Sequence, residues 1–278
     1  MPRFAANLTM LYGELPFLER FAAAARDGFQ AVEFMFPYEH DLEAIADRLR
    51  EHRLALVMHN VPAGDWAGGE RGIACLPDRV DEFRAGVCLA VDVASRLGAP
   101  RLNVLAGIRP DGVTEGDARR TLVENLRFAA AQARERGIRL LLEPVNTFDI
   151  PGFFVARTRD ALALIDQVGA DNLSLQYDLY HAQRMEGELA ATLRAHLHRI
   201  AHVQLADNPG RNEPGTGEIN YRFLFGLLDE LGYAGYVGCE YKPRAAGPGG
   251  TSAGLGWAAA HGQALSISAS RSQAFAQG

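Results

Sequence analysis

Acidic side chains end three apolar segments in the second half of the chain. The segments read RLLLE, LSLQYD and YVGCE, and their last residues are Glu143, Asp178 and Glu240. A further apolar segment, AHVQLAD, places Gln204 near its corresponding end. A carboxylate buried without a partner is costly, so each of these acids requires something that neutralises it. The pattern therefore indicates a functional cluster rather than ordinary packing.

The four side chains offer oxygen atoms as ligands. Glu143, Asp178 and Glu240 carry carboxylates, and Gln204 carries an amide oxygen. Hard divalent cations prefer such donors, and Mg²⁺ or Mn²⁺ suits this set better than zinc does. We expect the four residues to hold one divalent metal ion, with positions left open for a substrate. The alternative for any one acid alone is an ion pair with a nearby arginine or a helix cap.

Histidines and cations near the same segment ends are candidates for substrate binding. His59 ends the third β-rich run, and His181 follows Asp178 by three residues. Arg211 and Lys242 lie in the connections after the seventh and eighth runs. We predict that His59, His181, Arg211 and Lys242 face an anionic substrate. A structural histidine at a helix start, and solvated cations in surface loops, are the alternatives that stay open.

Such a cluster requires a fold that brings the ends of several strands together. β-rich runs alternate with longer helical patterns, which is typical of β/α units around a parallel sheet. The runs cover residues 4–7, 31–34, 54–59, 101–105, 139–143, 173–178, 202–205 and 236–240. The first run is not followed by GxGxxG, which disfavours a dinucleotide-binding doubly wound sheet. Eight units instead favour an α/β fold, a single (β/α)₈ TIM barrel over residues 1–257. In a barrel the carboxyl ends of all strands share one face, so acids at these ends converge.

Residues typical of helix starts and loops lie between the runs, as this arrangement requires. Asp41 and Thr158 precede helical patterns and are candidate N-caps. The long connections 60–77 and 206–220 follow the third and seventh runs, so we expect them to cover a substrate at the catalytic face. Residues 258–278 turn small and polar, and a weakly ordered tail is expected there.

Composition restricts the class of protein. The 278 residues are 48% hydrophobic and carry a formal net charge of -6, which disfavours a nucleic-acid partner. The three cysteines form no CxxC or Cys/His pattern, which argues against a disulfide framework and favours a reducing compartment. The chain has no signal-peptide pattern and no long apolar stretch, so we expect a cytoplasmic protein without a membrane partner. Assembly into a homo-oligomer stays open.

Longer segments carry a family resemblance. They are HNVPAGDWAGGERGIA from His59, EPVNTFDIPGF from Glu143, QYDLYHAQRMEGEL from Gln176, ADNPGRNEPGTGEINY from Ala206, GCEYKP from Gly238 and GLGW from Gly254. Together they resemble the hydroxypyruvate isomerase family, within the xylose-isomerase-like barrel superfamily. The opening MPRFAANLTM and the stretch RAAGPGGTSAGLGW are also similar to the related 2-oxo-tetronate isomerases.

The resemblance implies an activity and roles for the acids. It implies a metal at Glu143, Asp178, Gln204 and Glu240, with Glu143 and Glu240 as proton donor and acceptor. The implied reaction interconverts hydroxypyruvate and 2-hydroxy-3-oxopropanoate (tartronate semialdehyde) through an enediolate, so the implied partner is a small hydroxy or oxo acid. A 2-oxo-tetronate isomerase, a ketose 3-epimerase and a non-catalytic sugar-acid binding protein remain alternatives. DNA-repair endonucleases of the superfamily need many histidine ligands and a basic surface, which this acidic chain does not offer.

Overall fold

Parallel strands form one sheet in the computed structural model, which describes residues 2–260 of the chain. The strands are β1 (Arg3–Asn7), β2 (Ala31–Glu33), β3 (Ala55–Leu56), β4 (His59–Asn60), β5 (Arg101–Val104), β6 (Arg139–Leu142), β7 (Leu173–Asp178), β8 (Ile200–Leu205) and β9 (Tyr236–Cys239). Their order in the sheet is β3-β2-β1-β9-β8-β7-β6-β5-β4. Every pairing between neighbours is parallel.

The sheet closes because its two outermost strands are consecutive pieces of one segment. β3 pairs with β2, and β4 pairs with β5. The backbone changes partner in between: the Val57 N–H donates to Val32 O at 2.8 Å, and the Val61 N–H donates to Asn103 O at 2.9 Å. The run predicted as a single strand over 54–59 is therefore split in two. The barrel has eight such segments around its wall, and the predicted (β/α)₈ TIM barrel is confirmed.

Helices cover the outside of the barrel. They are α1 (Arg20–Arg26), α2 (Leu42–Glu51), α3 (Val80–Leu97), α4 (Glu115–Arg134), α5 (Thr158–Val168), α6 (Leu179–Met185), α7 (Leu189–His196), α8 (Tyr221–Glu230), α9 (Gly250–Gly254) and α10 (Gly256–Ala260). Within residues 2–260, no helix combines the length and apolar character needed to cross a membrane. Ala258, at the start of the predicted tail, is buried in α10, and residues 261–278 lie outside the described residues.

One of the two predicted N-caps is confirmed and the other is wrong. The Asp41 carboxylate accepts a hydrogen bond from the Glu43 N–H at 2.9 Å and so caps α2. Thr158 is instead the first residue of α5, and the preceding Arg157 makes no capping bond through its side chain. The Thr158 N–H donates to Glu186 Oε1 at 2.7 Å, so a carboxylate from another part of the chain replaces the local cap.

The barrel interior changes from apolar to polar along its axis. Ala5 and Ala31 belong to a small apolar cluster that is separate from the main core between strands and helices. Asn7 and Glu33 stand two residues further along the same strands, and therefore on the same face. The Asn7 side-chain amide donates to Glu33 Oε1 at 2.9 Å inside the barrel. Polar side chains thus begin in the half of the barrel that leads to the carboxyl ends of the strands.

The connection after β4 is held tightly against the end of β5, which yields a stability prediction. Gly72 has φ +114°, and a Cβ there would overlap the carbonyl oxygen of Leu105. Gly69 has a comparable φ of +102° but has open space around it. We expect Gly72→Ala to lower the free energy of unfolding by about 2–5 kcal/mol, since it adds overlap to backbone strain. Gly69→Ala, the matched control, adds strain alone and costs about 1–3 kcal/mol. Urea denaturation measures both, and equal losses would contradict the close approach at Gly72.

Candidate active site

The carboxylates predicted from the strand ends meet at one point. Glu143 directly follows β6, Asp178 is the last residue of β7, and Glu240 directly follows β9. One donor atom from each, together with one ring nitrogen of His181, lie within 4.8 Å of one another. All four side chains are buried. The convergence follows from the barrel, whose strands place their carboxyl ends on one face.

A cavity opens above this cluster. Its volume is about 570 Å³, and Glu143, Glu240 and His181 lie in its wall. The predicted covering connection 60–77 contributes Trp66 and Arg71, and the second such connection, 206–220, contributes its segment 209–211. Both long connections therefore border the cavity. Its size suits a small molecule rather than a polymer.

Burial and mutual repulsion raise the affinity of the acids for protons. Burial raises the pKa of Glu143 well above its ordinary value, and repulsion from Glu240 and Asp178 adds to this, against Arg211 and a hydrogen bond from Asn103. Burial also raises the pKa of Glu240 to about 8, although the attraction of Arg211 opposes it. The pKa of Asp178 is raised by burial too, again against Arg211. One guanidinium therefore does not compensate three carboxylates.

This donor set fits a divalent cation. Asp178 Oδ1 accepts from the Tyr180 N–H at 2.8 Å, but no donor among residues 2–260 is hydrogen-bonded to the buried Oδ2. His181 Nε2 lies 3.5 Å from that Oδ2 and 4.0 Å from Glu143 Oε1. An acceptor without a donor, amid uncompensated carboxylates, is what a bound hard cation would satisfy.

Asn146 sets the protonation of the His181 ring. Asn146 Oδ1 accepts from the N–H groups of Phe148 at 3.1 Å and Asp149 at 2.8 Å, so its amide nitrogen must face the other way. That nitrogen lies 2.6 Å from His181 Nδ1, which therefore accepts. Burial, reinforced by Arg211 and Arg184, lowers the pKa of His181 well below its ordinary value. The ring is therefore neutral, and its proton sits on Nε2, which faces the carboxylates.

Gln204 belongs to a second buried network beside this cluster. Its Nε2 donates to Glu33 Oε1 at 2.7 Å, and its Oε1 accepts from Gln176 Nε2 at 2.6 Å. Glu33 Oε2 also lies 2.7 Å from His202 Nε2. Burial opposes ionisation of Glu33, but attraction to His202 and hydrogen bonds from Asn7, Gln204 and His202 lower its pKa overall. Because a carboxylate only accepts, Glu33 fixes the direction of the Gln204 amide. The role of Gln204 as a metal ligand stays a prediction.

The family follows from comparison with known proteins. Residues 21–261 match the family model described as the xylose isomerase-like TIM barrel. The chain belongs to this family. The hydroxypyruvate isomerase of Escherichia coli (strain K12) is 54% identical over 257 residues, which cover 92% of this chain and 98% of that protein. The 2-oxo-tetronate isomerase of Cupriavidus necator is 49% identical, over 92% of this chain and 97% of its own length. The resemblance noted in the sequence is thereby confirmed.

Solved structures agree with the xylose isomerase-like fold. A protein described as AP endonuclease, family 2, from Brucella melitensis superimposes with a TM-score of 0.90 at 44% identity, covering 94% of this chain and 99% of its own. The 3-keto-D-glucoside 4-epimerase YcjR of E. coli superimposes with a TM-score of 0.78 over the same shares at 20% identity. The second likeness shows the fold alone.

In this member of the family, the predicted substrate-binding residues have different surroundings. Arg211 Nη2 donates to Glu240 Oε2 at 2.7 Å and lies 3.9 Å from Asp178 Oδ2, so it already has a carboxylate partner. Lys242 is exposed at the cavity rim. His59 is fully buried outside the cavity wall, with its Nδ1 at 3.1 Å from the carbonyl oxygen of its neighbour Asn60. Substrate binding by these residues stays a prediction, and Asn60 rather than His59 reaches the cavity.

Several residues of the site were missed by sequence reasoning. Glu33 is the last residue of β2, but the predicted run 31–34 ends in Phe34, so the criterion of an acid at the end of a run did not select it. Arg71 and Arg184 reach the cavity from a connection and from α6, and Asn146 lies just after β6. Arg71 lies in the connection 60–77 that was predicted to cover the substrate, but no pattern singles out this residue, Arg184 or Asn146, because the path of a connection depends on tertiary contacts.

The buried network of Glu33 yields a second stability prediction. The Glu33 carboxylate is hydrogen-bonded to Asn7, His202 and Gln204. In Glu33→Gln, the new amide nitrogen cannot accept a hydrogen bond, so at least one of these buried hydrogen bonds would be lost. We expect the free energy of unfolding to fall by about 3 kcal/mol. Glu230→Gln removes an exposed partner of Arg194 and is the matched control. Urea denaturation at neutral pH compares the two, and a loss at Glu33 no larger than at Glu230 would show that the network does not stabilise the barrel.

Proposed function

We propose that this chain is an isomerase that interconverts hydroxypyruvate and 2-hydroxy-3-oxopropanoate, an intramolecular oxidoreductase of the aldose-ketose type. One observation carries the proposal: two buried glutamates, Glu143 and Glu240, converge beside a neutral histidine in a small cavity. The 54% identity to a hydroxypyruvate isomerase across nearly both chains supports the same activity.

The proposal includes a divalent metal ion, Mg²⁺ or Mn²⁺. Glu143, Asp178, Gln204 and Glu240 would hold it, and the unsatisfied Asp178 Oδ2 and the excess of carboxylates support this choice. When bound, such a cation supplies a Lewis acid that polarises a substrate carbonyl and stabilises negative charge on its oxygen. Oxygen ligands of this kind suit either ion.

Proton transfer between adjacent carbons is the work of the glutamates. The reaction removes a proton from C3 of hydroxypyruvate and delivers one to C2, while the hydroxyl proton on the C3 oxygen leaves and the C2 oxygen gains one. Without a cation, burial raises the pKa of Glu143 and Glu240 above that of exposed carboxylates; a bound cation would lower both values, toward the range that general base catalysis near neutral pH requires. The glutamate that takes the proton in one direction returns it in the reverse direction.

His181 stabilises the charge that develops between these two transfers. Asn146 keeps its proton on Nε2, and that nitrogen faces the glutamates. A neutral imidazole N–H there donates to the oxygen of the enediolate and does not consume the base. The side chain thus acts as a fixed donor rather than as the proton carrier.

A second candidate substrate is the longer 2-oxo-tetronate. Curated relatives with that activity in their names are 49%, 40% and 41% identical to this chain. A cavity of about 570 Å³ has room for either acid. DNA is disfavoured as a substrate, because a net charge of -6 and a carboxylate-rich cavity repel phosphodiesters.

The proposed setting is the cytoplasm, with a small hydroxy or oxo acid as the partner. Cys75, Cys88 and Cys239 are free thiols, and two of them are buried. Free thiols are typical of a reducing compartment, which supports this location.

The catalytic roles predict a large loss of turnover in glutamine variants. Glu143→Gln and Glu240→Gln keep the side-chain size but remove the base, so kcat with hydroxypyruvate at saturating Mg²⁺ should fall at least about 100-fold. Glu230→Gln, on the outer surface, should match the wild type. Full turnover by either site variant would show that this glutamate is not the base, whereas a wild type without turnover would favour a non-catalytic binding protein.

The same assay, followed by NMR in D₂O, tests the chemistry and the substrate. Deuterium should enter C2 of 2-hydroxy-3-oxopropanoate, and a chelator should abolish the conversion until Mg²⁺ or Mn²⁺ is restored. If 2-oxo-tetronate is converted faster than hydroxypyruvate, the proposed substrate is 2-oxo-tetronate instead.

A further inference from the structure

The cations of the cavity differ in whether a carboxylate already neutralises them. In the described part of the chain, the lysine and arginine side chains that line the cavity are Arg71, Arg184, Arg211 and Lys242. Arg211 donates to Glu240 at 2.7 Å, and Arg184 donates to Asp149 at 2.9 Å. These two therefore have little net charge to offer a second anion.

Arg71 is held in place without being neutralised. Its Nη1 donates to the carbonyl oxygens of Trp66 at 3.0 Å and Glu70 at 2.6 Å, and its guanidinium lies 4.3 Å from the centroid of the Trp66 ring. Carbonyl oxygens and an aromatic face orient a guanidinium but do not cancel its charge. The adjacent Glu70 carboxylate pairs with Arg79 at 2.7 Å instead. Within residues 2–260, no acceptor is bonded to Nε or Nη2 of Arg71, so one edge of the guanidinium is free.

The backbone next to Arg71 is clamped to the catalytic end of the barrel. The Gly72 N–H donates to Ala63 O at 3.0 Å, and a Cβ on Gly72 or on Gly107 would overlap the backbone of the facing segment. This close approach fixes the connection above the end of β5. β5 neighbours β6, and Asn103 of β5 donates to Glu143 Oε2 at 2.8 Å. The backbone next to Arg71 thus lies against the end of β5, the neighbour of β6, and Glu143 directly follows β6.

We propose that Arg71 binds the carboxylate of the substrate through the Nε and Nη2 edge of its guanidinium. That edge presents two parallel N–H donors, which match the two oxygens of a carboxylate. Arg211 is committed to Glu240, and Lys242 is an exposed point charge on a flexible stem. Arg71 thereby selects a short acid over a neutral sugar of equal length. The identity of the acid rests on the proposed function, whereas the carboxylate class rests on Arg71 itself.

Kinetics with hydroxypyruvate test the assignment. Arg71→Gln should raise KM about 10- to 100-fold, the loss expected for a charge-assisted bidentate pair, while kcat changes much less. Arg71→Lys keeps the positive charge but lacks the two parallel N–H donors, so its KM should lie between those of the wild type and Arg71→Gln. Arg96→Gln, which removes an exposed arginine from the outer face of α3, is the matched control and should keep the wild-type KM.

Calorimetry with D-glycerate gives a readout that does not depend on turnover. D-Glycerate has three carbons and one carboxylate but no carbonyl, so it binds without isomerising. Its Kd for the Mg²⁺-loaded protein should rise about 10- to 100-fold in Arg71→Gln and remain unchanged in Arg96→Gln. If the wild type converts neither keto acid and still binds D-glycerate more tightly than Arg71→Gln does, that result would refute the proposed reaction but support the binding of a carboxylate by Arg71.

Two outcomes would overturn the assignment. One is an unchanged Kd for D-glycerate in Arg71→Gln. The other is an unchanged KM for hydroxypyruvate in Arg71→Gln. Thermal melting of each variant verifies that it is folded before either result is read.

Discussion

Mutual repulsion among three buried carboxylates is the constraint on which the catalytic end of the barrel depends. Glu143, Asp178 and Glu240 lie within a few ångströms of one another, away from water. Arg211 and Asn103 offset part of the repulsion, and the pKa of each acid nevertheless stays raised. The eight-segment barrel keeps the acids together, because separating them would require the strands to move apart. The negative charge of the site is therefore not fully compensated by protein groups, and a bound cation would compensate it.

Two groups of acids inside the same barrel show opposite behaviour. Glu33 is as deeply buried as Glu143, yet its pKa is lowered because hydrogen bonds and His202 surround it. Among residues 2–260, the Glu143 side chain has one hydrogen bond, from Asn103, and two acidic neighbours. A buried carboxylate with hydrogen bonds to both oxygens, such as Glu33, stabilises the barrel. A buried carboxylate next to other carboxylates, such as Glu143, is suited to binding a cation or moving a proton. Contact with the substrate cavity also separates the two groups, because Glu143 and Glu240 line it and Glu33 does not.

The fold and the acid cluster were predictable because both depend on local patterns. Alternating runs predict β/α units, and an acid at the end of an apolar run has no packing explanation. The split of the third segment was not predictable, since it arises when Val57 and Val61 bond to strands on opposite sides. The commitment of Arg211 to Glu240 and the free edge of Arg71 also depend on which chain segments pack together. Side chains on connections acquire their partners only from tertiary structure, and no spacing in the sequence encodes them.

Whether one ion is shared by these side chains is the most direct test. Crystals grown with saturating Mn²⁺ and measured at a wavelength where manganese scatters anomalously would locate it. A shared ion would give one strong anomalous peak within bonding distance of carboxylate oxygens of Glu143, Asp178 and Glu240. Absence of a peak there, with Glu240 still paired to Arg211 and Asp178 Oδ2 still without a partner, would contradict a shared ion.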